Sequence, residues 1–116
     1  MELEVKKLLY DLDQAIDLIS DFTDGKRLVD YQRDVLLRSA VERQFEIIGE
    51  ALNRLKKVEP DMLDRISDYN RIIGFRNVLA HGYDIISGEI VWDIVKTKLP
   101  RLRQEIDDIK RDFGME

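Results

Sequence analysis

Apolar residues recur at steps of three and four along most of this 116-residue chain, the spacing that lines up side chains on one face of an α-helix. The first apolar stripe consists of Val5, Leu8, Leu12, Ala15, Ile19 and Phe22. It predicts a helix over residues 3–22, which ends at Thr23-Asp24-Gly25 because Gly25 can adopt the left-handed conformation that closes many helices.

A second, longer helix is predicted over residues 27–58. Its stripe consists of Val41, Phe45, Ile48, Leu52 and Leu55. Ile47 and Ala51 widen this stripe, which indicates a helix buried on more than one side. Pro60 disfavours helical geometry in the residue before it and therefore closes the helix.

A short helical turn over residues 61–66 precedes the third predicted helix, which covers residues 69–81. Ser67 or Asp68 is the expected N-cap of that helix, and Gly82 is its expected stop.

The last predicted helix runs from Ser87 to Phe113. Its apolar positions keep their helical spacing straight through Pro100: Val91, Val95, Leu99, Leu102, Ile106, Ile109 and Phe113. One kinked helix is therefore expected here instead of two separate helices. Because no segment shows the sustained alternation typical of strands, the sequence predicts an all-α, four-to-five-helix up-down bundle, with a single domain over residues 1–116.

Composition excludes several classes of function. The chain has no cysteine and one histidine, so a disulfide framework, a thiolate zinc site, a cysteine nucleophile and a multi-histidine metal cluster within one chain are all excluded. No apolar run approaches the roughly 20 residues that span a bilayer, and the first residues do not resemble a signal peptide. We expect a cytoplasmic protein with no membrane partner, no metal and no cofactor.

The net charge of −5 argues against general electrostatic binding of nucleic acid. All of the excess lies in residues 1–25, which hold seven acidic and two basic residues, whereas the remainder has 17 of each sign. Two basic stretches contain no acid, one over residues 54–57 and one over residues 96–103. They permit a local positive groove, although solvated helix faces would give the same pattern.

Residues 71–84 hold the most informative chemistry, because the only histidine lies there near an arginine, an asparagine and a tyrosine. These residues are Arg76, Asn77, His81 and Tyr83. Histidine can move protons near neutral pH, and arginine binds phosphate oxygens through a planar fork. Together they suit metal-free cleavage of an RNA phosphodiester. A symmetric dimer would bring two histidines to one cleft, and one of them could then protonate the leaving oxygen.

Structural interpretations of the same residues stay open. Histidine near a helix C-terminus often only stabilises the helix dipole, and Arg76 could be an ion-pair partner. Arg76 and His81 are five residues apart, about 140° around an ideal helix, so they share no face unless the last turn loosens or the arginine reaches round. Phe75, Trp92 and Tyr83 could be core aromatics.

Three polar residues on the second helix share a face: Glu46, Glu50 and Asn53. They could position Arg76 through an ion pair, or they could simply be solvated.

The Arg76-x4-His81-x-Tyr83 segment resembles the Arg-x4-6-His motif of the HEPN superfamily, and the chain as a whole resembles HepT-like toxins of the HEPN/MNT toxin–antitoxin class. The likeness includes Glu46-Ile47-Ile48-Gly49-Glu50-Ala51, Val91-Trp92-Asp93 and Leu99-Pro100. It implies a HEPN-type bundle that forms a homodimer and acts as a metal-independent endoribonuclease. Arg76 and His81 would be catalytic and Asn77 would position the substrate. Tyr83 would receive AMP from a cognate MNT nucleotidyltransferase antitoxin.

A rival interpretation makes the chain a non-catalytic substrate- or nucleotide-binding partner in a two-chain nucleotidyltransferase. Arg76 and His81 could bind a nucleotide phosphate as well as help to cleave one, so the residues alone leave both functions open.

Overall fold

The computed structural model describes residues 3–81 and 88–115, apart from the side chains of Ala80 and His81. Every regular element in these ranges is helical, which confirms the predicted all-α class. The elements are α1 (Leu3–Thr23), α2 (Leu28–Arg33), α3 (Val35–Val58), α4 (Pro60–Leu63), α5 (Tyr69–His81), α6 (Gly88–Asp93), a π-helical turn (Ile94–Lys98) and α7 (Leu99–Asp112).

The long helix α3 is the centre of the bundle. It packs against α1 on one side and α5 on another, while α7 packs against α1 and α6 packs against α2. Fully buried side chains from three helices meet in the core, among them Leu9, Leu12, Ile16, Ile19, Ile48, Leu52, Leu55, Ile106 and Ile109. Each such side chain stabilises the bundle by about 1.5–3 kcal/mol. The stripes predicted from the sequence are thus the surfaces that join the helices.

Side-chain pairs between helices show that neighbours run antiparallel. Arg54, near the end of α3, pairs with Glu4 at the start of α1. Lys56 donates to Asn70 of α5, whereas the earlier Glu50 of α3 meets the later Arg76. Together with the ion pairs between α7 and α1, this order gives the up-down arrangement predicted for the bundle.

The helix predicted over residues 27–58 is wrong at one point, because the chain breaks it at Asp34. Asp34 has extended backbone angles (φ −110°, ψ 100°), and its Oδ1 accepts a hydrogen bond from the Leu37 N–H at 3.1 Å. Asp34 is therefore the N-cap of α3. The break frees the short helix α2 to turn Tyr31 into the core, where its ring lies 5.6 Å from that of Trp92.

The predicted continuation of the last helix through Pro100 is confirmed, with a π-helical turn placed just before the proline. There the Leu99 N–H donates to the Ile94 carbonyl, five residues back. A wider turn relieves the clash that a proline ring makes with the preceding turn. The apolar stripe is buried as far as Ile109. Phe113, predicted as its last member, is 51% exposed beyond the end of α7.

Helix α5 begins at Tyr69 as predicted, and Asp68 occupies the N-cap position, because its carbonyl accepts from the Ile72 N–H at 3.2 Å. Neither Ser67 nor Asp68 is shown to add a side-chain cap. The Ser67 hydroxyl donates to Glu105, and the Asp68 carboxylate accepts from Lys98 at 2.7 Å. Both bonds tie the start of α5 to the last helical segment, and Asp68 has a left-handed backbone (φ 57°). Helix α5 is thereby anchored at its first turn.

None of the described helices combines the length and the apolar character that a membrane crossing would need.

Candidate functional site

Arg76 extends from α5 towards α3, where it meets one of the three polar residues that share a face of α3. Its Nη2 lies 3.4 Å from Glu50 Oε1, and its Nη1 donates to Asn77 Oδ1 at 2.9 Å. The structure therefore brings the predicted residues Arg76 and Asn77 together and adds Glu50 to them.

Gly49 explains how the two helices come so close at this point. A Cβ placed on Gly49 would lie 2.2 Å from the Arg76 Cβ and 2.6 Å from its Cγ, far inside van der Waals contact. Any larger residue would push α5 away from α3. The lack of a side chain at Gly49 lets the stem of Arg76 lie against the α3 backbone, which limits the directions that the guanidinium can take.

The Arg76 guanidinium makes few of the hydrogen bonds available to it. A guanidinium carries five N–H donors. The contact with Glu50 is long, and Nε is buried without a partner among the described residues. The side chain as a whole is 31% exposed. Because Nε is enclosed by protein, the N–H groups that an arriving anion could reach are those of Nη1 and Nη2, of which two are shown in hydrogen bonds.

The other polar residues on the same face of α3 have different roles. Glu46 pairs with Arg43 of its own helix at 3.2 Å, and Asn53 is exposed. Of the three residues, Glu50 alone is shown in contact with α5. The sequence could not choose among them, because helical spacing fixes the face and not the position opposite Arg76.

Glu42, which the sequence analysis missed, is a half-buried acid one turn before Glu46. Burial raises the pKa of its carboxyl, the Glu46 carboxylate adds to the rise, and Arg38 opposes it. Its i,i+4 spacing from Glu46 was the feature of the sequence that could have placed Glu42 on this helix face.

Tyr31, close to Glu42, is fully buried with no hydrogen-bond partner for its hydroxyl among the described residues, and burial raises the pKa of that phenol.

His81 is the last residue of α5, and the backbone is helical up to it. The last turn is therefore not loosened, so regular geometry leaves Arg76 and His81 about 140° apart around the helix. The side chain of His81 and the whole of Tyr83 lie outside the described residues.

In the part of the chain that the structure describes, no group of three or more histidine, cysteine, aspartate or glutamate side chains could hold a metal ion.

Comparison with known proteins gives a family match over most of the chain. A family model described as ribonuclease HepT-like matches residues 12–109. A candidate RNase of Methanocaldococcus jannaschii is 33% identical over 115 residues, 95% of this chain and 90% of that protein. A candidate ribonuclease HepT of Thermococcus cleftensis is 29% identical over 110 residues, 91% of this chain and 96% of that protein.

A candidate RNase of Caldanaerobacter subterraneus is 27% identical over 96 residues, 83% of this chain and 85% of that protein. No solved structure gives a significant match.

Proposed function

The chain belongs to the HepT-like ribonuclease family, of the HEPN type, and from this membership and the geometry of α5 we propose that it is the RNA-cleaving toxin of a type II toxin–antitoxin module. The observation that carries the proposal is the Arg76 side chain, whose stem is fixed against Gly49 and whose Nη1 and Nη2 make two hydrogen bonds among the described residues out of the four that their N–H groups allow. A phosphodiester supplies the anion that such a group lacks.

In the proposed reaction, His81 takes the proton from the ribose 2′-hydroxyl, and the 2′-oxygen attacks the adjacent phosphorus. The bond from phosphorus to the 5′-oxygen breaks, which leaves a 2′,3′-cyclic phosphate and a 5′-hydroxyl. Arg76, whose long side chain must reach round α5 towards the His81 face, stabilises the charge that grows on the phosphate, and Asn77 positions the strand. The side chains supply these steps without a metal ion.

The 5′-oxygen needs a proton as it leaves, and one chain has a single histidine. A homodimer would place a second His81 at the same cleft to donate that proton. Light scattering should therefore give twice the 13.7 kDa of one chain. A monomer that still cleaves RNA would contradict the shared cleft.

Control of the toxin is assigned to Tyr83, which lies two residues after His81. An MNT-type nucleotidyltransferase would join the tyrosine oxygen to the α-phosphorus of ATP and release pyrophosphate. The new phosphate would occupy the Arg76 guanidinium in place of RNA. Mass spectrometry of protein co-expressed with its nucleotidyltransferase should find the added AMP on the peptide that holds Tyr83 and not on a peptide with another tyrosine.

A second function uses the same observation. Arg76 would bind the phosphate of a nucleotide equally well if the chain were the non-catalytic partner of a two-chain nucleotidyltransferase.

Cleavage of a mixed-sequence RNA by purified protein in EDTA separates the two functions. A ribonuclease should retain its cleavage rate after chelation, and the His81→Ala variant should cleave RNA on the order of 10²-fold or more slowly. Circular dichroism must show that the variant is folded, because His81 ends a helix. Full activity in a folded His81→Ala protein would overturn the mechanism.

A further inference from the structure

A cavity of about 250 Å³ lies between α5 and the π-helical turn, lined by a different part of α5 from Arg76. Its apolar lining comes from Ile72, Phe75 and Ile94. The Phe75 ring is fixed edge-on against Phe45, with 5.5 Å between the ring centroids. The volume is slightly below the roughly 300–1,000 Å³ of drug-sized ligand sites, which suits a single flat ring system.

Charged groups of both signs surround this apolar lining. Lys98 is paired with Asp68, at 2.7 Å, whereas the Arg71 guanidinium makes no ion pair or hydrogen bond among the described residues. The hydrogen bond from Lys98, with smaller contributions from the Arg71 and Arg101 charges, holds the pKa of the Asp68 carboxyl below its usual range. Of the two basic residues that line the cavity, Lys98 is neutralised by Asp68, and Arg71 is the one left to bind an incoming phosphate.

Asp93, the last residue of α6, is an exposed residue that also lines the cavity, next to Ile94 in the chain. A carboxylate accepts hydrogen bonds from amino groups, and in nucleic-acid recognition aspartate accepts from the amino group of cytosine. An aromatic wall, an unpaired arginine and a carboxylate together match the three parts of one nucleotide: ring face, phosphate and amino edge.

We propose that this cavity is a base-recognition subsite that holds one unstacked nucleotide of single-stranded RNA, with a preference for bases that carry an exocyclic amino group. The inference rests on the proposed ribonuclease function, to which it adds substrate selection. Phe75 and Ile94 contact the base, Asp93 accepts from its amino group, and Arg71 binds a flanking phosphate. Arg71 precedes Arg76 by five residues, about 7.5 Å of rise and 140° around α5, so a strand that contacts both arginines must wrap around the helix.

Binding of fluorescent 2′-O-methyl oligonucleotides tests the subsite without cleavage, because the blocked 2′-oxygen cannot attack. Anisotropy should show that oligo(A) and oligo(C) bind about tenfold more tightly than oligo(U), as one charge-assisted hydrogen bond allows. Asp93→Ala should reduce that preference to within about twofold. Arg71→Ala should weaken the binding of all three oligonucleotides about tenfold.

Two matched variants control for charge alone. Arg111 pairs with Asp108 near the far end of α7, about 20 Å of helix from Lys98, and Asp21 is exposed on α1. Arg111→Ala and Asp21→Ala should leave affinity and preference within about twofold of the parent protein. Equal binding of the three oligonucleotides, or an Arg111→Ala loss as large as that of Arg71→Ala, would overturn the subsite.

A cleavage assay on unmodified RNA separates failure of the subsite from failure of the enzyme. If the protein binds oligonucleotides base-selectively but leaves RNA intact, the ribonuclease proposal is wrong and the nucleotide subsite is supported. If the protein cleaves RNA but binds all three oligonucleotides equally, the subsite proposal is wrong and the ribonuclease proposal is supported. Displacement of the oligonucleotide by micromolar AMP would assign the cavity to free nucleotides instead of RNA.

Discussion

Arg76 and Arg103 both reach across a helix–helix contact to acidic residues, and they differ in how fully they are paired. Arg103 on α7 donates to Asp13 at 2.8 Å, to the Asp13 carbonyl at 3.2 Å, to Asp107 at 3.3 Å and to Asp17. Arg76 on α5 has one acid at 3.4 Å and a buried Nε–H with no partner among the described residues. Arg103 thus makes four hydrogen bonds within the fold, whereas Arg76 is shown with two, to Glu50 and Asn77.

The pairing of Arg103 also accounts for part of the charge distribution along the chain. The acidic residues of α1 are not only a solvated surface, because Asp13 accepts from both Arg103 and Lys110 of α7. Part of the basic stretch over residues 96–103 is therefore used to join α7 to α1. Asp13 and Asp17 of the acid-rich start and Arg103 of the basic stretch thus belong to one helix contact.

The largest expected effect is on the rate of RNA cleavage, which should depend on Arg76 much more than on Arg103. Arg76→Ala should reduce RNA cleavage on the order of 10²-fold or more, because it removes the group that stabilises phosphate charge. Arg103→Ala should leave the rate within about threefold once the protein is confirmed as folded, because its side chain is used up between α1 and α7. Equal losses in a gel-based cleavage assay would contradict the comparison.

Gly49→Ala should destabilise the protein by about 3 kcal/mol, because the new methyl group would overlap the Arg76 stem at the α3–α5 contact. Urea denaturation measures the change. Gly74→Ala is the matched control on α5, where a Cβ meets nothing within 4 Å. That control should gain up to about 1 kcal/mol from helix propensity. Equal stability of the two variants would argue against the close approach.

Arg103→Ala should destabilise the protein by about 1–2 kcal/mol, since several charge-assisted bonds are lost while Lys110 still pairs with Asp13. Thermal melts at low and high salt measure this loss. An unchanged melting temperature would show that the network between α1 and α7 adds nothing to stability.

Glu50→Gln should change the cleavage rate by less than about tenfold, because Glu50 positions Arg76 through one long contact and touches no proposed substrate atom. The amide keeps the shape and an acceptor oxygen while it removes the charge. A loss as large as that of Arg76→Ala would make Glu50 part of the catalytic chemistry.

The smallest effect concerns Glu42, an acid for which no ion pair is shown within the described ranges. Its raised pKa means that the folded chain holds this proton more tightly than the unfolded chain does. Stability should therefore fall as pH rises through the window just above the ordinary glutamate range, and the loss persists at neutral pH. Glu42→Gln should remove that loss and raise the melting temperature by less than about 4 °C. A lower melting temperature at neutral pH would contradict this sign.

Periodicity in the sequence was enough to predict the helices that bury complete stripes, such as Ile48, Leu52 and Leu55 on α3. It could not locate the break at Asp34, because an aspartate before an apolar run fits a solvated helix position as well as an N-cap. It could not select Glu50 over Glu46, because that depends on the register between two helices. The cavity beside Arg71 depends on the π-helical turn, which local spacing does not reveal.

The role assigned to Arg76 is tested most directly by nitrogen-15 NMR of the arginine side chains while 2′-O-methyl RNA is added to the intact protein. We expect the Arg76 Nε–H signal to shift progressively and to saturate as the guanidinium binds phosphate, while the Arg103 signals stay in place. Arg76→Lys identifies the resonance by its loss. An Arg76 signal that does not move although RNA binds would contradict the claim that its unpaired donors form the phosphate site.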